Sequence, residues 1–382
     1  MLIVRVFTAA ARPALAGGTL LAAATGAWFA YDNYRGGPVT PFQQVQGHGQ
    51  QLVVSEFGDN ADTVVVVNPY DVTSRKTIAT IEHAPGYGVF PSLAPDGKAL
   101  AYTALPSDAA KPSPGSPAIA AIVDTDDHVT VLANDVDLLI APVWSPDSSS
   151  VVVRKNTPAP DSAGSFELIL LRRDGERSTI TTWSTAAVFP IAFAPDGSKL
   201  YFAALNNAGT DLYSVAPDGS GETRIAHLSD EIARDWQLSP DGATLAYSVS
   251  ETGDTPQVVA KTLDLATGAA SDAIAAGDGT KMELNPQWTS DGELTIASVK
   301  PEGGSSAVSV DATGATEAVA SSGDGIDLPL GWSPKGDRLA VRAVEGAAPN
   351  EAGPSHVELV DRDGGRQRVS DNADVLIAGW LR

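Results

Sequence analysis

Three neighbouring aspartates are the candidate metal ligands of this sequence. They are Asp124, Asp126 and Asp127, and they follow a short apolar run that predicts a β-strand. Carboxylate oxygens, together with backbone carbonyls, are the ligands that calcium prefers in proteins. Aspartate is also a frequent turn residue, because its side chain hydrogen-bonds to its own backbone. The residues therefore predict either a calcium site or a simple turn, and no other cofactor is indicated.

A second set of acidic residues precedes the predicted strands that begin successive repeats. The candidate partner-binding residues are Asp137, Asp235, Glu283, Asp327 and Asp374, with Asp135, Asp230, Glu231 and Asp324 beside them. If these loops share one face of the fold, their charges would favour a cationic ligand or the basic surface of a partner. The alternative is that they are solvated loop charges in an acidic protein.

Residue patterns typical of catalysis are missing from the sequence. The five histidines are widely separated, no cysteine is present, and Gly303-Gly304 is not followed by the lysine of a phosphate-binding loop. No Gly-x-Ser-x-Gly elbow of a serine hydrolase occurs. We therefore predict that the protein is not an enzyme.

The overall charge restricts the class of partner. The chain has 382 residues, with 25 Lys+Arg against 47 Asp+Glu, which gives a formal net charge of −22. Such a surface repels the phosphate backbone, so we predict no nucleic-acid binding. The hydrophobic content of 43% is that of a folded chain. A protein or peptide partner is the expectation.

The amino-terminal residues differ in character from the rest of the chain. Residues 13–31 are uncharged and rich in alanine, leucine and glycine, with Arg5 and Arg12 before them and Trp28 near their end. Nineteen helical residues span about 28 Å, which is close to the thickness of a bilayer core. We predict that residues 1–12 are cytoplasmic, that residues 13–31 form a transmembrane signal-anchor helix, and that residues 32–49 form a linker. The protein would then be single-pass with its N-terminus inside; the alternative is a cleaved signal peptide and a secreted or periplasmic chain.

An internal repeat organises residues 50–382. Six segments align on a turn motif of the form Ser-Pro-Asp-Gly followed by a short strand. The aligned turn positions are Asp96, Asp147, Asp196, Asp241, Asp291 and Lys335, at intervals of 51, 49, 45, 50 and 44 residues. Such intervals are typical of the four-stranded blade of a β-propeller. A large apolar residue, tryptophan in three cases, stands three residues before each turn position, where core packing is expected rather than ligand stacking.

The two ends of this region complement each other. Residues 375–381 resemble a first strand, with Trp380 in the register of Trp144, whereas residues 51–57 resemble a second strand that lacks a first. Pairing them would close the ring and remove its free sheet edges. The sequence therefore predicts an all-β, seven-bladed propeller with four-stranded blades, in which the C-terminal strand closes the first blade; a six-bladed ring is the alternative.

These motifs resemble the WD40-like, Pro-Asp repeat propellers of the TolB type, over roughly residues 50–382. Ser148, Ser290 and Lys335 each depart from the repeat consensus at one position. The resemblance implies a propeller outside the cytoplasm; TolB itself carries an additional α/β domain before the propeller, which we do not expect here. Similar repeats also occur beside prolyl-oligopeptidase-like hydrolase domains, but Asp218-Gly219-Ser220-Gly221 predicts a turn instead of a nucleophile elbow.

The expected function is that of a membrane-anchored, extracytoplasmic propeller that binds or scaffolds a protein or peptide without catalysis. Two other classes remain open at this point. One is a sensor for a small molecule or glycan, and the other is a metal-assisted hydrolase or lyase at the mouth of the central channel.

Overall fold

The computed structural model describes residues 49–113, 115–124, 129–159, 162–251, 257–275, 282–300, 304–321, 325–346, 353–372 and 374–381. The described residues form a β-propeller built from 28 strands. The predicted cytoplasmic segment, the helix over 13–31 and nearly all of the linker lie outside them. Within these ranges no helix has the length and apolar character needed to cross a bilayer.

The strands follow one another in antiparallel sheets, which we label A to F. Sheet A contains β28 (Val375–Leu381), β1 (Gln51–Glu56), β2 (Ala61–Asn68) and β3 (Asp71–Glu82). Sheet B contains β4 (Phe90–Leu93), β5 (Ala99–Ala104), β6 (Ala118–Asp124) and β7 (Val129–Val136). Sheet C contains β8 (Val143–Trp144), β9 (Ser150–Ala159), β10 (Ser162–Arg172) and β11 (Arg177–Trp183).

The second half of the chain repeats the arrangement. Sheet D contains β12 (Ala187–Phe193), β13 (Leu200–Asn206), β14 (Gly209–Val215) and β15 (Thr223–Ser229). Sheet E contains β16 (Ala233–Leu238), β17 (Thr244–Glu251), β18 (Gln257–Asp264), β19 (Ala270–Asp272), β20 (Met282–Trp288), β21 (Leu294–Val299), β22 (Ser305–Val310) and β23 (Thr316–Ser321). Sheet F contains β24 (Ile326–Trp332), β25 (Arg338–Val344), β26 (Ser355–Asp361) and β27 (Arg366–Arg368).

The number of blades corrects the sequence prediction. Five sheets are separate four-stranded blades, whereas sheet E is a single eight-stranded sheet, so the predictions of seven and of six blades are wrong. The cause lies in β19, which has only three residues and pairs with β18 over Lys261–Leu263. The opposite end of β18 is left uncovered, and Val258 there pairs in parallel with Met282 at the start of β20. One bridge thus merges two repeats that the sequence pattern treats as separate.

The Pro-Asp-Gly turns connect the first and second strands of their repeats, as predicted. In the turn at Asp241, the carboxylate accepts hydrogen bonds from Ser239 Oγ at 2.6 Å and from the Ala243 N–H at 3.0 Å. Gly242 follows with a φ of +72°, which a side chain would disfavour. The predicted short strand after each turn places alternate apolar residues between neighbouring sheets, and Leu100, Phe202 and Tyr247 are fully buried there.

The predicted closing strand is present. β28 pairs antiparallel with β1, and Trp380 lies opposite Leu52. On the side of the turns, a polar cluster links sheet A to the neighbouring sheet F. Gln50 Nε2 donates to Tyr70 Oη at 2.7 Å and to Asp337 at 2.6 Å, and its Oε1 accepts from the Lys335 N–H at 2.9 Å. Asp337 also accepts from Ser333 Oγ at 2.8 Å, so it takes over the role of the turn aspartate that Lys335 replaces.

The first strands of the repeats surround a common axis. β28 contacts β4, and β8, β12, β16, β20 and β24 follow in turn, each against the previous first strand. The tryptophans of the repeat bridge these neighbours: Trp144 Nε1 donates to the Ser92 carbonyl at 2.9 Å, and Trp288 Nε1 donates to the Gln237 carbonyl at 3.1 Å. Their role is therefore packing between repeats, as predicted.

Candidate functional site

A recurrent polar contact fixes each first strand to the preceding repeat. In each repeat, a buried or half-buried side chain of the second or third strand makes a hydrogen bond to the backbone of the following repeat. The backbone group lies at or near the start of that repeat's first strand. We call these junction contacts. They are Asp62 with Val89, Thr103 with Leu138, Arg154 with Val188, Thr210 with Glu231 and Ala233, Ser248 with Glu283, Ser305 with Asp327, and Arg342 with Val375. Strand direction alternates along each repeat, so the junction contacts lie on the face opposite the Pro-Asp-Gly turns.

The structure places the predicted partner-binding carboxylates among these junctions, each with partners of its own. Asp137 pairs with the Arg154 guanidinium, with Nε at 2.8 Å and Nη2 at 2.5 Å. Asp327 is fully buried and receives two hydrogen bonds from Arg366, at 2.7 and 2.8 Å. Glu283 is buried and its Oε2 accepts the Ala260 N–H at 2.7 Å.

These three residues, Asp137, Glu283 and Asp327, are named the junction carboxylates below. Asp374 lies at the seam of sheet A, where its carbonyl accepts the Phe57 N–H at 2.9 Å. The neighbouring Asp135 pairs with Lys155 and Arg177. Each predicted residue is therefore engaged in its own ion pair or hydrogen bond. Their role in partner binding stays a prediction.

The candidate calcium ligands are described only in part. Asp124 ends β6 and is half-buried, whereas Asp126 and Asp127 lie outside the described residues. Among the residues that the structure does describe, no three histidine or acidic side chains are grouped so as to hold a metal ion.

Asp235 is the one predicted residue that belongs to a different arrangement, on the first strands themselves. It stands in β16 with a φ of +55°, and Asn285 occupies the same repeat position in β20 with a φ of +50°. Left-handed backbone is uncommon for residues other than glycine, although asparagine and aspartate tolerate it best. Both residues mark a register shift of their strand against the second strand. Each bulge thereby turns a polar side chain out of the regular pleat.

Several polar atoms on these strands are buried without a hydrogen-bond partner among the described residues. They are Asp235 Oδ2, Asn285 Oδ1, Trp236 Nε1 and Trp380 Nε1. A side chain built on Gly331 would bring its Cβ within 3.9 Å of both Gln287 Oε1 and Trp380 Nε1, so those two atoms converge beside β24. We call Asp235, Trp236, Asn285, Gln287 and Trp380 the axial cluster, because their strands surround the axis.

Burial dominates the electrostatics of the axial cluster. Desolvation raises the pKa of Asp235, although the charge of Arg234, the Asn285 N–H and the Ser248 hydroxyl act in the opposite direction. Desolvation likewise lowers the pKa of the neighbouring Arg234. The cluster therefore combines poorly solvated hydrogen-bond acceptors with indole donors.

Sequence reasoning selected Asp235 but missed the other members of the cluster. A usable signal existed at the position six residues before the turn aspartate. That position holds a polar residue only in Asp235 and Asn285, whereas the other aligned repeats have Phe90, Ala141, Pro190 and Pro329 there. For Trp380 the register was predicted correctly, but an indole N–H without a partner could not be anticipated from sequence.

The opposite face carries exposed carboxylates of another kind. Asp96, Asp147, Asp196, Asp241 and Asp291, which we call the turn aspartates, are exposed and form no ion pair within the described part of the chain. Hydroxyl groups of the same turns, Ser145 and Ser239, lower the pKa of Asp147 and of Asp241. The backbone N–H of Ser198 does so for Asp196. Asp147, Asp196 and Asp241 therefore stay ionised at neutral pH.

Comparison with known proteins finds one relative that is similar in sequence to part of this chain, and solved structures that share most of its fold. A TolB homologue of Chlorobium chlorochromatii (strain CaD3) is 30% identical over 144 residues, which are 38% of this chain and 31% of the relative. The chain therefore matches less than a third of the length of that relative.

Two solved structures share the fold at low sequence identity. The oligogalacturonate lyase of Vibrio parahaemolyticus superimposes with a TM-score of 0.54 at 14% identity, covering 87% of this chain and 91% of the lyase. The acylaminoacyl peptidase of Pyrococcus horikoshii gives a TM-score of 0.57 at 12% identity, covering 90% of this chain and 53% of the peptidase. Such similarity concerns architecture and does not transfer activity.

The repeat, the turns and the ring of first strands agree with a family model that covers more than half of the sequence. The TolB β-propeller domain model, PD40, matches residues 76–334, and the chain belongs to this family.

Proposed function

We propose that the protein is a non-enzymatic binding module, and that it binds a segment of a protein partner at the axial cluster. The observation that carries the proposal is a set of four buried polar atoms that have no hydrogen-bond partner in the described part of the chain, namely Asp235 Oδ2, Asn285 Oδ1, Trp236 Nε1 and Trp380 Nε1. An unsatisfied buried polar group costs about 1–3 kcal/mol, so a ligand that supplies the missing partners gains that energy on binding.

A peptide segment suits this mixture of groups. Each residue of an extended chain offers one N–H donor and one carbonyl acceptor. The axial cluster offers carboxylate and amide acceptors together with indole donors, within a rigid ring of strands. A rigid site loses little conformational entropy on binding, which favours affinity.

The non-enzymatic part of the proposal has separate support. It rests on the sequence, which lacks the nucleophile elbow of a serine hydrolase. The lyase and the peptidase that share the fold supply only architecture, because their identity to this chain is 14% and 12%.

We further propose that residues 13–31 hold the module at the extracytoplasmic side of a membrane. This rests on the length of the uncharged stretch, on the arginines before it and on the aromatic residues at its end. A protease-protection assay on intact cells tests it: digestion of residues 50–382 only from outside the cytoplasm is expected, and protection in intact spheroplasts would contradict it.

The binding proposal is tested with variants that remove one hydrogen-bonding group, a donor or an acceptor, and keep the ring. Partners are crosslinked to the full-length protein in its native membrane, identified, and titrated against purified protein. Trp380→Phe removes an N–H that makes no hydrogen bond to any residue the structure describes, and we expect affinity for the partner protein to fall about tenfold. Asn285→Ala should have a comparable effect.

Trp288→Phe is the matched control. Its N–H is already bonded to the Gln237 carbonyl, so this variant should lose some stability but keep its affinity for the partner. Equal affinities of the Trp380→Phe and wild-type proteins would reject the axial cluster as the site. Stabilisation by a glycan or small molecule, with no protein retained, would replace the proposal by a sensor function.

A further inference from the structure

Two repeats place an arginine over the aromatic residue that precedes their turn. In sheet F, the guanidinium carbon of Arg362 lies 4.7 Å from the centre of the Trp332 ring, and its Nε donates to the Gly336 carbonyl at 2.8 Å. Its Nη2 reaches the preceding repeat, where it donates to Glu293 at 2.8 Å. A cation over an aromatic face is attracted by the ring. We call this position, on the turn face between two repeats, the arginine niche.

Sheet C repeats the arrangement. The guanidinium carbon of Arg173 lies 6.0 Å from the centre of the Trp144 ring, and its Nη1 donates to the Ser148 carbonyl at 3.4 Å. Ser148 and Gly336 each directly follow the turn position of their repeat. The two arginines therefore bind the same pair of neighbours, which shows that the niche is a product of the repeat and accepts a guanidinium.

Sheet D forms the same niche without an arginine in its own hairpin. Phe193 stands in the place of the tryptophan, and Pro217 stands where sheets C and F have their arginine. The equivalence follows from the backbone, because in all three hairpins the glycine two residues later closes the turn, as Gly219 does by donating to the Ala216 carbonyl at 2.9 Å. A cleft of about 450 Å³ lies here between sheets C and D, and Phe193 and Pro217 both line it.

The side of the cleft that belongs to sheet C carries acceptors for a cation. Ser149 occupies the position that Glu293 has in the niche of sheet F, and Asp147 lies two residues before it. The hydrogen bond from Ser145 Oγ lowers the pKa of Asp147, so this exposed carboxylate is ionised at neutral pH. Arg172 also lines the cleft, and its charge is balanced by Glu176 of its own hairpin, 3.0 Å from its Nε.

The repeat of Trp288 differs in these acceptors. It has Ala312 at the hairpin position of the arginine, but the preceding turn presents Ala243 where Ser149 and Glu293 stand in the other repeats. An alanine side chain accepts no hydrogen bond. The combination of an arginine-free hairpin with polar groups opposite it therefore distinguishes the cleft beside Phe193.

We propose that the cleft beside Phe193 binds an arginine side chain of a protein partner, whose guanidinium takes the place that Arg362 takes beside Trp332. It contacts the Phe193 ring, donates to the Gly197 carbonyl and faces the Asp147 carboxylate. A planar guanidinium makes these contacts together, whereas the ammonium of lysine does not. The net charge of −22 attracts a basic segment to this face. The site is separate from the axial cluster and does not depend on it.

The probe is a short fluorescent peptide with a single arginine between glycines. A matched peptide carries citrulline, which has nearly the same shape without the charge. Binding of both peptides to purified full-length protein is followed by fluorescence anisotropy. We expect the arginine peptide to bind about tenfold more tightly, because its hydrogen bonds are charge-assisted and its cation is attracted by the ring.

Substitutions then test where the peptide binds. Pro217→Arg supplies the arginine from the protein itself, as in sheets C and F, and should weaken binding about tenfold; Pro217→Met, which removes the proline without adding a cation, should change it by less than about twofold. Asp147→Asn should weaken binding about fivefold. Asp241→Asn removes the same charge from a turn aspartate outside the cleft, so its effect should stay below about twofold.

Several results would overturn the proposal. Equal affinities for the two peptides, or equal losses in Asp147→Asn and Asp241→Asn, would mean diffuse attraction to an acidic protein. Equal affinities of folded Pro217→Arg and Pro217→Met would place the peptide elsewhere, and if Pro217→Arg does not fold, the two aspartate variants decide. Trp380→Phe should bind the arginine peptide as the wild type does; a loss there would assign the peptide to the axial cluster instead.

Discussion

The two faces of the propeller use carboxylates for opposite purposes. On the junction face, the junction carboxylates Asp137, Glu283 and Asp327 are removed from water and bonded to an arginine or to a backbone N–H. On the turn face, the turn aspartates are exposed and accept hydrogen bonds only from their own turns, as Asp241 does from Ser239 and Ala243. The first group joins consecutive repeats, whereas the second group shapes single hairpins.

The comparison shows that a high density of acidic residues in the sequence does not predict where the folded protein has an acidic surface. The residues before the first strands were expected to form an acidic face, but Arg154, Arg366, Lys155 and Arg177 neutralise several of them. The turn aspartates, which were predicted only to shape turns, are exposed and form no ion pair within the described residues. The comparison predicts large stability losses on the junction face and small ones on the turn face.

The largest loss is expected for Asp327→Ala. The substitution removes the fully buried carboxylate that receives two hydrogen bonds from Arg366, which then keeps Glu358 as its ion-pair partner, and it should lower the free energy of unfolding by about 3 kcal/mol. Denaturant unfolding measures the change. Asp363→Ala, an exposed aspartate in the next turn of the same sheet, is the control and should change it by less than about 0.5 kcal/mol. A similar loss in both variants would remove the distinction between the faces.

Glu283→Ala should cost about 2 kcal/mol, because it leaves the buried Ala260 N–H without an acceptor. Glu283→Gln keeps an acceptor oxygen and should recover most of the stability. Hydrogen exchange at the Ala260 amide reports the same bond, and it should become faster in the alanine variant only. An unchanged exchange rate there would show that Glu283 does not hold this part of sheet E.

Asp241→Ala should cost about 1 kcal/mol, since the turn loses two hydrogen bonds that water can partly replace. Asp241→Asn retains the acceptor oxygen and should be close to neutral. Thermal unfolding of the two variants measures the difference. A loss as large as that of Asp327→Ala would mean that the turn aspartates also join repeats.

The smallest effect concerns the partly exposed pair Asp135–Arg177, and it depends on pH. The hydrogen bond from Arg177 lowers the pKa of Asp135 to about 2 from an ordinary value of 3.8. Because the folded-state pKa is the lower one, the stabilisation is present above pH 3.8 and disappears as the pH falls to about 2. Its size is roughly 0.5 kcal/mol, since both side chains are about one-third exposed.

Acid titration of stability tests this pair. Asp135→Asn should remove part of the stability loss between pH 4 and pH 2, and Arg177→Met should do the same. The double variant should show no further change, because the two substitutions remove one interaction. Additive effects of the two substitutions would indicate that the residues act separately.

Local chemistry accounts for what could be predicted. The short apolar run that was predicted to form a β-strand before the three aspartates is β6, Ala118–Asp124, and polar turn residues bound it on both sides. Trp380 was placed in the register of Trp144 from its spacing alone, and it pairs with Leu52 as expected. These features depend on residues within one repeat or on a repeated pattern, both of which are visible in the sequence.

Contacts between repeats account for what could not be predicted. The merging of two repeats into sheet E depends on the shortness of β19 and on one bridge from Val258 to Met282. Asp327 meets Arg366 at a separation of 39 residues, and no local pattern links the two positions. The polar atoms without partners on Trp236 and Trp380 follow from how neighbouring first strands approach each other.

The sequence by itself determined that this chain forms β-hairpins of a repeating kind, that the ring is completed by its last strand, and that the protein is strongly acidic. Period-two hydrophobicity and turn residues act over a few positions, so they can be read without coordinates. Only the tertiary structure decided how many separate blades form, which carboxylates are neutralised, and where polar groups remain unpaired. Those outcomes depend on side chains from distant repeats competing for the same backbone groups, and that competition is resolved only when the repeats pack together.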